Sequence, residues 1–176
     1  MKDFKRQIMD GEALERSLRR ISHEIVEKNK GCDNLVLVGI KSRGIPLAEK
    51  ISRNIEKIEG IKPPVATVDI HHYRDDLKAE AAPEAKKPEL PFSVTDKTVI
   101  LVDDVLYTGR TVRAAIEAIF SIGRPRAIRL AILIDRGHRQ LPFRADYIGK
   151  NIPTSNEERV KVLVTPFDSE SGVYLV

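Results

Sequence analysis

The chain of 176 residues predicts an α/β fold, a mainly parallel twisted sheet with helices on both faces. Three observations carry that expectation. Short runs rich in apolar residues, LVLVGI (35–40), VATVDI (65–70), TVILV (98–102) and AIRLAILI (127–134), read as strands, the first as one buried on both faces. Segments of helical periodicity stand between them. Carboxylates, hydroxyls and glycines follow directly on the runs, at the sheet edge where such folds bind ligands.

From Asp10 to Asn29, Leu14, Leu18, Ile21 and Ile25 recur at steps of four, three and four, an amphipathic helix with Asp10 as N-cap and Gly31 ending it. After the strand 35–40, Gly44 to Ile58 reads as a second helix, with Pro46 in its first turn and a core stripe of Leu47, Ile51, Ile55 and Ile58. The strand 65–70 follows, then a long connection without helical periodicity, about 71–96. It is either a solvated insertion or a lid; Tyr73, Arg74, Asp75 and Asp76, dense in chemistry where it leaves a strand end, favour a lid. After TVILV come a helix from Arg110 to Ile122, closed by Gly123, and the strand 127–134. DYIG, VKVLVTPF and GVYLV are short and strand-like, forming an appendage or a sheet edge.

One domain spanning 1–176 suffices for this length. Thirty Lys plus Arg against twenty-six Asp plus Glu give a net charge of +4, which permits a nucleic acid or phosphorylated partner without requiring one. The single Cys32 cannot form an internal disulfide, MKDFKRQIMD lacks the apolar core of a signal peptide, and no apolar run could span a bilayer. These features predict a soluble cytoplasmic protein with no membrane partner.

The chemistry concentrates in VILVDDVLYTGRT (99–111). Its strand run stops on two adjacent carboxylates, Asp103 and Asp104, and a turn, Thr108, Gly109, Arg110 and Thr111, leads into a helix. Free N–H groups and the positive helix end favour a phosphate there, Gly109 allows close backbone approach, and the Thr hydroxyls add hydrogen bonds. Ionised carboxylates only accept hydrogen bonds and so suit sugar hydroxyls. A ribose 5-phosphate meets both demands. A nucleotide-triphosphatase P-loop is excluded, because Arg110 stands where its Lys belongs and Asp104 where its first Gly belongs. A receiver domain also gathers carboxylates at a strand end but has no need of the TGRT turn. An acidic pair merely capping a solvated turn leaves that turn unexplained.

VILVDDVLYTGRT resembles the phosphoribosyl pyrophosphate (PRPP) signature of the type I phosphoribosyltransferases. LVGIKSRGIPLA, YRDDL and IDRGHRQLPFRADYIGKNIPTS extend the resemblance, with the first helix, over most of the chain. Together they resemble the branch of that family whose members attenuate pyrimidine operons and also have uracil phosphoribosyltransferase activity. The resemblance implies the type I phosphoribosyltransferase fold with a small hood region contributed by about 136–160. It implies catalytic roles for Asp103 and Asp104 on the ribose hydroxyls and for Arg74 on the closing loop. PRPP and the base would be bound by Lys41, Ser42, Arg43 and Gly44 as pyrophosphate loop, Tyr73 as cover, Thr108 to Thr111 at the 5-phosphate, Val105, Leu106 and Tyr107 before them, and Arg136 and Val160 near uracil. Magnesium would be bound mainly through PRPP, with no protein metal cluster. The products would be UMP and pyrophosphate, and UMP or UTP would be the regulatory ligands.

On the first helix, 100° per residue gathers Arg16, Arg19, Arg20 and His23 opposite the apolar stripe. Alone such a face reads as solvated. The resemblance implies instead that it binds a leader messenger RNA hairpin, through Arg19, Arg20, His23 and Lys28, with Lys41, Arg139, Arg144 and Lys150 as further contacts. The chain has no Trp, four Tyr and five Phe, so shape and backbone contacts should outweigh base stacking. A homo-oligomer, dimer or higher, is also implied. Two alternatives stand beside this reading: a phosphoribosyltransferase for hypoxanthine, orotate or another base without RNA regulation, and a nucleotide-sensing RNA-binding regulator with little catalysis. His71 and His72 depart from the family's usual uncharged residues. Adjacent in an extended segment, they would point to opposite sides and are not read as a metal pair.

Overall fold

The computed structural model describes residues 4–40, 42–76 and 87–176. In chain order the elements are β1 (Arg6–Met9), α1 (Gly11–Asn29), β2 (Leu35–Ile40), α2 (Gly44–Glu59), β3 (Val65–Val68), a 3-10 turn (His71–Tyr73), β4 (Thr98–Leu106), α3 (Arg110–Phe120), β5 (Ala127–Asp135), β6 (Tyr147–Asn151), β7 (Val160–Leu163) and β8 (Gly172–Leu175). Five strands pair in the order β3-β2-β4-β5-β6, every pairing parallel. Their periodic side chains split into two cores. On one face α1 and α2 set Leu14, Leu18, Ile21, Ile25, Leu47, Ile51 and Ile55 against Leu37, Ile100, Val102 and Leu133. On the other, α3 sets Val112, Ala115 and Ile119 against Val36, Val38, Leu101 and Ile132. Each such buried Leu or Ile contributes about 1.5–3 kcal/mol, which is what holds the helices to the sheet.

The expected helix boundaries need small adjustments. Asp10 caps α1 by accepting the Ala13 N–H at 2.7 Å. Its end turns on Lys30, at φ 54°, together with Gly31, whose N–H reaches the Val26 carbonyl at 3.0 Å. Ile58, expected in the α2 stripe, is only half-buried, and α3 ends at Phe120 rather than Ile122. The connection after β3 begins with an unpredicted 3-10 turn, closed by Tyr73 N–H to the Ile70 carbonyl at 2.9 Å.

Two differences matter for function. β4 does not stop at Val102: its pairing with β5 continues through Asp103 opposite Ile132 and Val105 opposite Ile134. The ladder to β5 overrides the low strand propensity of aspartate, so the acidic pair sits inside a strand. Secondly, a separate three-stranded antiparallel sheet, β1-β8-β7, joins the two ends of the chain. Of the 136–160 segment expected to form a hood, only Val160 lies in this sheet, while β6 forms the edge of the main one. Among the described residues no helix is long and apolar enough to cross a membrane.

Candidate active site

Asp103 is 8 % exposed and Asp104 half-buried. Asp103 Oδ1 accepts the Asp104 N–H at 2.9 Å, and Asp104 Oδ1 accepts the Val105 N–H at 2.8 Å. Burial pushes both carboxyls above the usual aspartate range, Asp103 the further because the Asp104 charge adds to it. For Asp104, its hydrogen bonds and the Arg43 charge partly offset burial. The pair is thus held in a poorly solvated place where it would gain from hydroxyl donors or a cation.

Directly after β4 the chain turns into α3 through Gly109, at φ 94°; a Cβ there would also stand 3.1 Å from Phe143 Cδ2. Gln140 and Leu141 donate to the Thr108 carbonyl at 2.9 and 3.0 Å and back the turn from behind. The N-cap Gly109 has no side chain to cap α3, and the Arg110 N–H makes only a long bond of 3.3 Å to Thr108 Oγ1, so the start of the helix presents donors to an anion beside the carboxylates.

The segment 42–44 leads into α2 alongside. A Cβ on Gly44 would lie 2.4 Å from the Val102 carbonyl oxygen, so only glycine lets this backbone rest on β4 one residue before Asp103. Arg43 is the N-cap residue of α2, but its side chain leaves the helix and bonds Asp168, beyond β7, through Nε (3.2 Å) and Nη2 (3.1 Å). Lys41 lies outside the described residues.

The start of the long connection is fastened to α3. Arg74 pairs with Asp76 and donates to Thr111 Oγ1 at 3.1 Å; Arg110 pairs with Asp75 at 2.9 Å; Tyr73 Oη lies 3.1 Å from Ser121 Oγ. The Arg74 partner holds the Asp76 carboxyl below the usual range. Arg74 therefore already stands beside the expected phosphate turn. The expected closing loop extends into 77–86, outside the described residues.

Beyond the ends of β5 and β6 lies a cavity of about 300 Å³ lined by Asp135, Arg136, Gly137, Arg139, Asn151 and Ile152 among others. Arg136 is 6 % exposed and donates to Thr154 Oγ1 (3.1 Å) and to the carbonyls of Ser155 (3.3 Å) and Glu158 (2.6 Å). Its guanidinium also lies 4.0 Å from the centre of the Tyr107 ring. Arg136 thus braces the cavity wall as well as lining it. Val160, at the start of β7, packs with the α1–α2 core.

The basic residues divide similarly. Arg139 pairs with Asp135 and donates to the carbonyls of Phe143 and Tyr107, bracing the loop after β5. Arg20 reaches across to the edge of β6, donating to the carbonyls of Ile148 (3.2 Å) and Gly149 (2.6 Å). Lys28 pairs with Asp146 at 3.5 Å. These contacts bring one side of α1 against the edge strand that carries Lys150; Arg19 and His23 on the helix, Lys150 and Arg144 in the loop before β6 are all exposed. Sequence reasoning missed Arg129, 3.9 Å from Asp146 on the same side, because it sits within the apolar run of β5. It missed Asp168 too, since a partner 125 residues from Arg43 leaves no local pattern.

The family model of the phosphoribosyl transferase domain matches residues 5–166. Proteins named "Bifunctional protein PyrR" are similar throughout: that of Clostridioides difficile is 58 % identical, covering 96 % of each chain. That of Clostridium kluyveri is 59 % identical over 97 % of this chain and 96 % of its own. Among solved structures, a hypoxanthine-guanine phosphoribosyltransferase from Bacillus anthracis superposes with TM-score 0.74 over 99 % of both chains at 17 % identity. The hypoxanthine phosphoribosyltransferase of Trypanosoma cruzi gives 0.75 over 98 % of this chain and 96 % of its own at the same identity, a likeness of fold.

Proposed function

This chain belongs to the phosphoribosyl transferase family, and from that membership we propose a bifunctional protein: a uridine-nucleotide-responsive, RNA-binding attenuator of the pyrimidine operon that also converts uracil and PRPP to UMP and pyrophosphate. The observation that carries the transferase half is the carboxylate pair on β4, Asp103 buried and Asp104 half-buried, set directly beside the start of α3, acceptors next to donors. Uracil and the RNA rest on near-full-length identity to the bifunctional proteins. The same reading takes the protein as cytoplasmic and, by its likeness to those proteins, as a homo-oligomer, dimer or higher.

In this reading Asp103 and Asp104 accept hydrogen bonds from the ribose hydroxyls, and Thr108 to Thr111 hold the 5-phosphate on the first N–H groups of α3. Ser42 to Gly44 present the leaving pyrophosphate to the start of α2. Uracil occupies the cavity beyond β5 and β6, near Tyr107, Arg136 and the backbone of Ile152. Its ring nitrogen forms a bond to the anomeric carbon as the carbon–oxygen bond to pyrophosphate breaks, and the nitrogen's proton is lost. The chain contributes chiefly position, fixed charge and exclusion of water. The desolvated pair Asp103 and Asp104 fits a hard cation, and magnesium carried on PRPP would neutralise the pyrophosphate charge there.

Arg74 would exchange Asp76 and Thr111 for the pyrophosphate once PRPP is bound. Arg74→Ala is expected to lower kcat about 100-fold while leaving the melting temperature nearly unchanged, because one charge-stabilising group on the leaving side is removed. Steady-state kinetics and a thermal melt check both halves. The substrate is tested by a screen of bases with PRPP and magnesium. Uracil should turn over, with hypoxanthine, guanine and orotate at background; turnover of another base instead of uracil would select the first alternative, and no turnover of any base the second.

A further inference from the structure

We propose that Asp168 is a positioning residue for the pyrophosphate end of PRPP: from the small sheet it holds the Arg43 guanidinium at the pyrophosphate loop. This inference rests on the phosphoribosyltransferase reading of the site and adds a residue that lies far from its sequence motifs.

The residue held is Arg43. It occupies the N-cap of α2, in a segment whose backbone rests on β4 one residue before Asp103. A long side chain there has many rotamers, yet two parallel hydrogen bonds to one carboxylate, 3.2 and 3.1 Å, select one of them. The carboxylate is itself immobilised. Asp168 Oδ2 accepts the Val164 N–H at 2.8 Å, and the Asp168 N–H donates to the Val164 carbonyl at 2.8 Å, closing a tight turn at the end of β7. Phe167 lies under the guanidinium, its ring centre 5.4 Å away. With the Asp168 side chain 16 % and that of Arg43 29 % exposed, the pair is shielded more than an ordinary surface bridge, yet part of Arg43 remains accessible.

The pairing also joins separate parts of the chain. Asp168 belongs to the connection between β7 and β8, whereas Arg43 stands at the start of α2, which packs against the parallel sheet that carries the acidic pair. Arg43 is near enough for its charge to act on Asp104. Released from Asp168, its guanidinium would be free to turn onto that carboxylate and compete with the sugar and cation for it. Asp168 thus keeps a cation close to the acidic pair without letting it neutralise the pair, an arrangement that favours the pyrophosphate-bearing ligand over UMP, which has no pyrophosphate.

That difference supplies the test. In the full-length protein with magnesium, Asp168→Asn keeps an acceptor for the Val164 N–H but removes the charged fork. Calorimetric titration with inorganic pyrophosphate should show affinity about tenfold weaker, with UMP affinity changed less than about twofold. The KM for PRPP should rise alongside, and Asp168→Glu should restore part of the loss. Arg43→Gln should weaken pyrophosphate similarly, and the double substitution should add little to either, the signature of two residues acting as one. Equal weakening of UMP and pyrophosphate would show a merely structural role, and unchanged pyrophosphate affinity would show none; either overturns the proposal. If Asp168→Asn does not fold, additivity of Asp168→Glu with Arg43→Gln overturns it, and non-additivity supports it. Pyrophosphate binding is read without turnover, so absence of UMP formation in the unsubstituted protein would count against the catalytic reading separately.

Discussion

Replacing both strand carboxylates, Asp103→Asn together with Asp104→Asn, should lower UMP formation by about 100-fold or more while raising the melting temperature of the ligand-free protein. The two effects have one cause. The pair is held where water solvates it poorly, and burial raises the affinity of both carboxyls for protons. Each substitution replaces one acceptor oxygen by an N–H donor and removes the charge that strengthens bonds to the ribose hydroxyls, which is expected to cost about 100-fold or more in kcat/KM, comparable to deleting one preorganised group in other active sites. Removing two adjacent desolvated charges, in contrast, relieves the ligand-free fold. A gain of about 1 kcal/mol would raise Tm by roughly 2–4 °C for a chain of this size.

The sign of the pH dependence follows. A carboxyl whose folded-state pKa is raised stays protonated in the folded chain at a pH where the unfolded chain has already lost the proton. Stability from the pair is therefore complete below the ordinary aspartate range and is lost as pH rises through the raised values. Asp76, held low by Arg74, works in the opposite sense, losing its contribution as pH falls, but is common to both proteins. The Tm advantage of the double Asn variant should accordingly widen from acid toward neutral pH. Thermal melts across pH check it, and an advantage that narrows over that range would contradict the burial argument.

The second large effect concerns RNA. Arg19→Glu with Arg144→Glu should weaken binding to a leader hairpin by well over about tenfold at low salt and reduce the slope of log affinity against log salt by about one to two, as expected for losing two phosphate contacts. These positions are chosen because both are exposed and, among the described residues, anchor no part of the fold. Arg20 would be a poor choice: its guanidinium covers the unpaired carbonyls of the β6 edge, so Arg20→Glu would disturb packing and RNA together. Uracil turnover should be unchanged in the double charge reversal. Filter binding across salt concentrations decides it, and an unaltered slope would move the RNA surface elsewhere.

Much of this molecule is legible in its sequence, for physical reasons visible in particular residues. Leu14, Leu18, Ile21 and Ile25 announce α1 because a buried helix face must repeat every three or four residues. LVLVGI announces β2 because a strand covered on both sides has no polar face to show. The acidic pair and its neighbouring turn are contiguous, so their chemistry can be read from thirteen letters. What escapes is set by contacts between distant segments. RQIM becomes a strand only because β8 pairs with it. Asp103 continues β4 only because β5 lies alongside. Arg136 looks like a free charge after a strand, yet is buried against Tyr107 and three partners from 154–158. Arg20 and Arg19 look equivalent on the helix, and only the position of β6 makes the first a brace for the edge strand.

The two activities meet in one titration: affinity for a leader hairpin in the presence and absence of saturating UMP, at fixed salt and magnesium. A protein whose nucleotide site governs its RNA surface should bind the hairpin more tightly with UMP, and by reciprocity bind UMP more tightly with the hairpin, by the same factor. Hairpin affinity that is the same with and without UMP, or no binding at low salt, would contradict it.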